Sequence, residues 1–308
     1  MKVISGNSKL LFKKTAVAIG IFDGVHRGHQ YLIQQMLATA RRLHATPVVI
    51  TFFPHPAHVL RPDVKLPYLI SLDDRFELLN QLGIKACVVI PFNRSFAKIE
   101  PQKFIQDVLV KQLHVKAVFV GEDFMFGRNR SGDISLFEKL GQEHGYEAHG
   151  VKALKRGKNA ISSTRIRALI TEGKLKEASN LLGHPVFTSG KVIRGAQRGR
   201  TLGFPTANVD YQSDIIPPKG VYIVKVWLGK KAYNGMANIG TRPTFDKKSD
   251  SHLFMLEVHL LDFSQNLYNK LIKVEFLKKI RNEKKFSSPQ QLIVQIKKDE
   301  VKARHYLA

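Results

Sequence analysis

Along the first part of the chain, short apolar runs alternate with longer amphipathic stretches. Residues 16–22, 47–53, 86–91 and 117–120 are compact runs rich in Val, Ile, Ala and Phe, the pattern of strands buried on both faces. Between them, residues 29–43, 71–82 and 101–112 carry apolar positions at helical spacing. Ser71, with Asp74 three residues on, marks a helix start, and Pro101 suits a first helical turn. Strands alternating with helices predict an α/β unit built on a doubly wound parallel sheet. Residues 163–172 and 175–182 read as two further short helices.

The texture changes at Gly183-His184-Pro185. Beyond it, residues 220–228, 231–239, 254–261 and 271–276 are strand-like runs separated by turn signals, which predicts a small antiparallel barrel. Ser288-Pro289 opens a closing helix that runs to about Tyr306. Two domains are expected, 1–183 and 184–308, and 308 residues give each room for its own core.

Composition narrows the class. With 44% hydrophobic and 24% charged residues, the chain is neither disordered nor fibrous. The single cysteine, Cys87, allows no internal disulfide, and no apolar run reaches the ~20 residues of a membrane span. A basic start followed by the apolar run 16–22 imitates a signal peptide. Asp23-Gly24 ends that run without a small-residue cleavage site, so it is read as a strand. A cytoplasmic protein with no membrane association is expected. The net charge of +24 divides evenly, +12 on either side of Gly183. Such a field attracts polyanions of any kind, whether nucleic acid, nucleoside triphosphate or phosphorylated metabolite.

The chain has neither a GxG nor a GxxxxGK[ST] string, so the usual dinucleotide and P-loop signatures are absent. In their place, Gly20-Ile21-Phe22-Asp23-Gly24-Val25-His26-Arg27-Gly28-His29 closes the first strand and opens a helix. Glycines there let the backbone approach a ligand, and a helix N-terminus favours anions. His26 and His29, three apart, face the same way and could stabilise charge on a phosphate during transfer. The same residues could also form a capped turn with surface histidines, or a zinc site with His55 and His58. Further on, Ile161-Ser162-Ser163-Thr164-Arg165-Ile166-Arg167 sets hydroxyls at a helix start and an arginine one turn in. That string could hold triphosphate oxygens, or serve only as an N-cap.

Together the two strings resemble the HxGH nucleotidyltransferase superfamily with its SSTxxR segment. The resemblance implies a Rossmann-like nucleotidyltransferase domain that binds ATP at the first helix N-terminus and releases pyrophosphate. It implies ATP contacts from Gly20, Phe22, Asp23, Gly24, His26, His29, Ser163, Thr164 and Arg167, with His26, His29 and Arg167 catalytic. Thr51-Phe52-Phe53-Pro54-His55-Pro56 and Gly121-Glu122-Asp123-Phe124-Met125-Phe126-Gly127 narrow it. They resemble the flavin adenylyltransferase module of bifunctional prokaryotic riboflavin kinase/FAD synthetases. Phe52, His55, Asp123 and Phe124 would then lie near the flavin, although Phe124 and Phe126 fit ordinary core packing equally well.

The second half carries its own signature. Four glycines and three arginines between Gly190 and Gly203 suggest a loop laid over phosphates, or merely a basic hairpin. Thr206 and Asn208, in Pro205-Thr206-Ala207-Asn208, offer hard oxygen ligands suited to Mg²⁺. Downstream stand Asn238-Ile239-Gly240-Thr241-Arg242-Pro243-Thr244-Phe245 and Leu256-Glu257-Val258-His259. Glu257, facing inward, could act as a general base, although a lone strand glutamate is commonly a solvated surface residue. These strings resemble the riboflavin kinase domain, which implies a six-stranded barrel with a C-terminal helix. By that resemblance Glu257 is catalytic, Thr206 and Asn208 help hold Mg-ATP, Gly195, Arg200 and Phe204 contact ATP, and Arg281 contacts flavin. Residues 264–269 depart from the family, which often has an acidic residue and a glycine around Leu267-Tyr268.

The resemblance implies a bifunctional transferase using riboflavin, FMN, ATP and Mg²⁺, with no specific nucleic-acid partner. One activity phosphorylates riboflavin and the other adenylylates FMN to FAD. An RNA-binding flavin sensor exploiting the charge and a nucleotidyltransferase of different substrate are the rival readings.

Overall fold

A computed structural model describes residues 1–5, 12–64, 66–195, 202–241 and 254–308. The chain divides into two compact units, Met1–Leu66 with Leu72–Ser162, and Pro67–Ser71 with Ser163–Ala308.

The first unit runs β1 (Lys2–Ser5), β2 (Thr15–Ile19), α1 (Arg27–Arg42), β3 (Thr46–Phe53), α2 (Pro56–Leu60), α3 (Leu72–Gln81), β4 (Ala86–Pro91), α4 (Pro101–Phe104), β5 (Val115–Gly121), α5 (Ile134–His144) and β6 (Glu147–Val151). A two-residue hairpin, β7 (Lys155–Arg156) with β8 (Asn159–Ala160), follows. The sheet is parallel in the order β1-β4-β3-β2-β5-β6. All five residues of β2 are buried, which is why it reads as a continuous apolar run. Val17, Ile19, Val48, Ile50, Val118 and Val120 share one core with Phe104, Phe126 and Phe137.

β2 sits between β3 and β5, so strand order reverses there. The crevice beyond the C-terminal ends of β2 and β5 is where such sheets receive ligands. The loop from Gly20 to His26 leaves one of those ends, and Gly121-Glu122-Asp123 leaves the other.

The helix expected over 101–112 is present, but α4 passes into a π-helical stretch, Ile105–Gln112, with wider turns. Several elements carry no expectation from the sequence, among them β1, β6 and α5. β1 buries only Ile4, and β6 is an edge strand of mixed polarity whose place is set by pairing with β5. α5 announces itself only through its caps, Asp133 accepting from the Leu136 N–H and Gly145 in the left-handed region.

The second unit opens with α6 (Ser163–Thr171) and α7 (Leu175–Leu182), the latter closed by Gly183 at φ 83°. Six strands follow, β9 (Val186–Ile193), β10 (Ala207–Tyr211), β11 (Gly220–Leu228), β12 (Lys231–Thr241), β13 (Phe254–Leu260) and β14 (Leu271–Arg281). They close a barrel in the order β10-β13-β12-β11-β14-β9, with every pair antiparallel. Closure leaves no strand edge unpaired. The final helix α8 (Pro289–Leu307) begins at Ser288, whose hydroxyl accepts from the Gln291 N–H. It packs Ala303 and Ile296 on Ile223 and Met236, outside the barrel wall.

Candidate active sites

In the first unit the site is a loop held from below. Past β2 the Gly20 N–H donates to Ile50 O at 3.1 Å, and Phe22 then enters the left-handed region at φ 55°. Gly24 follows at φ 77°, a conformation glycine adopts without strain. His26 caps α1, its Nδ1 accepting from the His29 N–H at 3.3 Å. That bond leaves Nε2–H of a neutral His26 as its donor. The His26 and His29 rings stack with centroids 3.6 Å apart, and the Phe22 ring meets His29 edge-on at 5.1 Å. Gly28 makes room for this stack, since a Cβ there would lie 3.1 Å from the His26 ring.

His29 Nδ1 is buried and has no hydrogen-bond partner among the described residues. Burial, reinforced by His26 and Arg75, holds the imidazole well below the ordinary histidine range. His29 therefore offers a neutral imidazole, not a fixed cation, at the end of a helix.

Two residues to which the sequence analysis gave no role set this loop. Arg75 on α3 is fully buried, and its Nη1 donates to Ile21 O at 2.9 Å. Thr51 Oγ1 donates to the same carbonyl, also at 2.9 Å. Arg75 Nη2 lies 3.8 Å from the buried Asp23 carboxylate, so Asp23, expected as an ATP contact, sits against this buried cation.

At the other side of the crevice, a Cβ on Gly121 would lie 2.9 Å from Asp123 Oδ1, so the exposed Asp123 carboxylate lies over that glycine. Phe124 is half-buried and stacks on Phe126 at 5.8 Å. Phe52 is buried, edge-on to Phe92 at 6.2 Å, and its ring belongs to the core cluster. His55 caps α2 by accepting from the Ala57 N–H at 3.0 Å, and His58 Nε2 donates to Leu66 O at 2.7 Å. No group of three or more His, Cys, Asp or Glu among the described residues is arranged to hold a metal ion. The zinc alternative therefore has no support.

Ser163, Thr164 and Arg167 lie on α6 in the second unit. Arg167 is buried there, and its Nε donates to Pro67 O at 2.6 Å.

In the second unit the site is a row of side chains on strands. A cavity of about 530 Å³ is lined by Gly195, Phe204, Thr206, Asn208, Asn238, Glu257, His259 and Arg281, among others. Register creates the row: Glu257 on β13 pairs with Asn208 on β10 and with Asn238 on β12. Directly paired residues share a face, so the carboxylate lies between two amides.

That face is the outer one, which corrects the expectation of an inward-facing glutamate. Leu256, Val258 and Leu260 are buried and occupy the barrel interior, while Met255, Glu257 and His259 alternate with them. Met236, two residues before Asn238, packs on α8 outside the wall. The cavity therefore lies between the barrel wall and what covers it, not in the barrel centre.

A Cβ on Gly195 would collide with the Asn208 amide, so glycine leaves that side chain its place. On the covering side, Arg281 Nε donates to the buried Asp299 Oδ2 at 2.7 Å, and Asp299 Oδ1 accepts from Gln295 at 2.8 Å. The Arg281 guanidinium also lies 5.7 Å over the Phe286 ring. Asn238, His259 and Asp299 had no role in the sequence reading. Arg200 and residues 242–245 lie outside the described residues. In the divergent turn, Asn269 takes φ 64° where the family resemblance expects glycine, a left-handed conformation that asparagine tolerates.

Two family models match the chain, one after the other. A family model described as FAD synthetase matches residues 9–165, and one described as riboflavin kinase matches residues 182–307. A bifunctional riboflavin kinase/FMN adenylyltransferase of Escherichia coli (strain K12) is 42% identical, covering 94% of this chain and 92% of its own. The like-named protein of Bacillus subtilis (strain 168) is 40% identical over 96% of this chain and 93% of its own. A crystal structure of a protein named as a macrolide-efflux protein, from Streptococcus pneumoniae, superposes with TM-score 0.86 at 33% identity, covering 99% of both chains. Among the described residues here, no helix is long and apolar enough to cross a membrane.

Proposed function

The chain belongs to the family of bifunctional riboflavin kinase/FMN adenylyltransferases, and from that premise we propose the following assignment of chemistry to residues. The enzyme phosphorylates riboflavin with ATP to FMN, then joins FMN to AMP from a second ATP, giving FAD and pyrophosphate. We assign the adenylyltransferase to 1–183, including the Ser163-Thr164-Arg165-Ile166-Arg167 string, and the kinase to 184–308. Two ATP-consuming steps and a lone, buried, unpaired Cys87 suit the cytoplasm.

The observation that carries the kinase assignment is Glu257 held between Asn208 and Asn238 on the cavity face. Its carboxylate accepts the proton of the 5′-hydroxyl as that oxygen bonds to the γ-phosphorus and the bond to ADP breaks. Thr206 and Asn208 present neutral oxygens beside it. That donor set fits a Mg²⁺ brought in on ATP and held chiefly by phosphate and water. The metal supplies neutralisation of phosphate charge; the protein supplies position. Arg281, tied to Asp299, fixes the wall against which flavin lies, and Phe204 and Gly195 border the nucleotide.

In the other site the FMN phosphate is itself the nucleophile. It attacks the α-phosphorus of ATP, and the bond to pyrophosphate breaks. The nucleophile is already ionised, so no base is needed. His26 and His29 donate to the phosphate oxygens at the helix N-terminus. Asp123 and His55 lie on the flavin side, while Phe52 and Phe124 shape its floor from the core. Incubating the protein with riboflavin, ATP and Mg²⁺ and separating the products tests the reading. FMN followed by FAD, with pyrophosphate rising alongside FAD, is expected; no flavin product contradicts it.

A further inference from the structure

β10 ends its pairing with β13 at Ala207, opposite Val258. Pro205, two residues earlier, has no N–H and cannot extend a ladder of strand hydrogen bonds. The segment bearing Thr206 would therefore leave the barrel with its backbone unsupported. A side chain fills the gap. His259 Nδ1 lies 2.8 Å from Pro205 O, and the Phe204 ring meets the His259 ring edge-on at 5.7 Å. A carbonyl only accepts, so Nδ1 carries the proton and donates. His259 stands two residues from Glu257 on the same face of β13 and lines the same cavity.

We propose that His259 is a positioning residue for phosphoryl transfer: its Nδ1–H holds the Pro205 carbonyl beyond the end of the β10–β13 ladder and so fixes the Thr206 oxygen relative to Glu257. It touches neither the reacting hydroxyl nor the phosphorus. The consequence is specific to Mg-ATP, because the segment it holds presents the nucleotide ligands, whereas the flavin wall is held separately by Arg281 and Asp299. The inference rests on the reading of this cavity as the kinase site.

The test uses the geometry of substitutes. An asparagine amide places its N–H near the position of imidazole Nδ1, whereas glutamine reaches toward Nε2 instead. H259N, H259Q and H259L are made in the full chain, and FMN formation is followed while Mg-ATP and riboflavin are varied in turn. H259L and H259Q should raise KM for Mg-ATP about tenfold, the scale of one lost positioning hydrogen bond. KM for riboflavin should stay within about twofold, and H259N should recover most of the loss.

An unchanged KM for Mg-ATP in H259L overturns the proposal, as does an H259N no better than H259Q. Equal rises in both KM values also overturn it. Should H259L fail to fold, the near-isosteric H259N and H259Q decide alone. Failure of the underlying reading shows differently, as absence of FMN formation by the unsubstituted protein.

Discussion

The two sites solve one problem, holding phosphates still, with opposite materials. In the first unit, His26 and His29 project from a loop and a helix N-terminus, and the loop is fixed by a buried arginine beneath it. In the second, Glu257, Asn208 and Asn238 are fixed by the barrel register itself. A loop site stores its precision in a few hydrogen bonds and in missing side chains such as that of Gly28. A strand site spreads it over the whole ladder. Substitutions of residues that pack the barrel interior should therefore harm the strand site less than substitutions beneath the loop harm the loop site.

At the loop site the largest effect expected is from H26A with H29A together. Loss of the preorganised donors should slow FAD formation from FMN about 10³-fold while leaving FMN formation from riboflavin unchanged, read by product chromatography. Next is R75M. It removes the buried cation facing Asp23 and the donor to Ile21 O. Breaking such a buried pair costs about 3–5 kcal/mol, so denaturant unfolding followed by probes in the first unit should move accordingly. A substitution of comparable burial on the barrel, V258A, should cost less of the kinase activity than R75M costs of the adenylyltransferase.

G28A should be milder. The added methyl presses on the His26 ring at 3.1 Å and should lower FAD formation severalfold, on the order of 1 kcal/mol, without altering FMN formation.

The smallest effect is with pH. His29 is held below the ordinary histidine value of 6.5, so the unfolded chain binds more protons than the folded one just beneath that value. Stability of the first unit is full above 6.5 and is lost as pH falls below it. Asp107 and Glu147, held below the ordinary carboxylate range by Lys103 and Arg42, lose their contributions only at lower pH. H29F should flatten the upper part of the profile in amide exchange of α1 and leave the acid limb.

The comparison also explains what could be read in advance. Buried parallel strands announce themselves as apolar runs, so β2, β3, β4 and β5 are legible. The edge strands β1 and β6 are not, because their place comes from a neighbour's hydrogen bonds. The loop site is nearly complete in the sequence, since its histidines and glycines are contiguous. What is missing from it is the support of the Ile21 carbonyl by Arg75 and Thr51, which arrives from other elements. The strand site is scattered over some fifty residues, from Asn208 to Glu257. Glu257 could be named by its motif, yet its two amide neighbours, its outward face and the grip of His259 on Pro205 depend on register, which a single chain does not spell out.

The most direct test of the division of labour is E257Q in the full chain, supplied in parallel with riboflavin and with FMN, each with Mg-ATP. FMN formation should fall by about 10²–10⁴-fold, the span of a lost general base, while conversion of added FMN to FAD proceeds at the unsubstituted rate. Equal loss of both conversions, or retention of FMN formation, would contradict the assignment of one chemistry to each site.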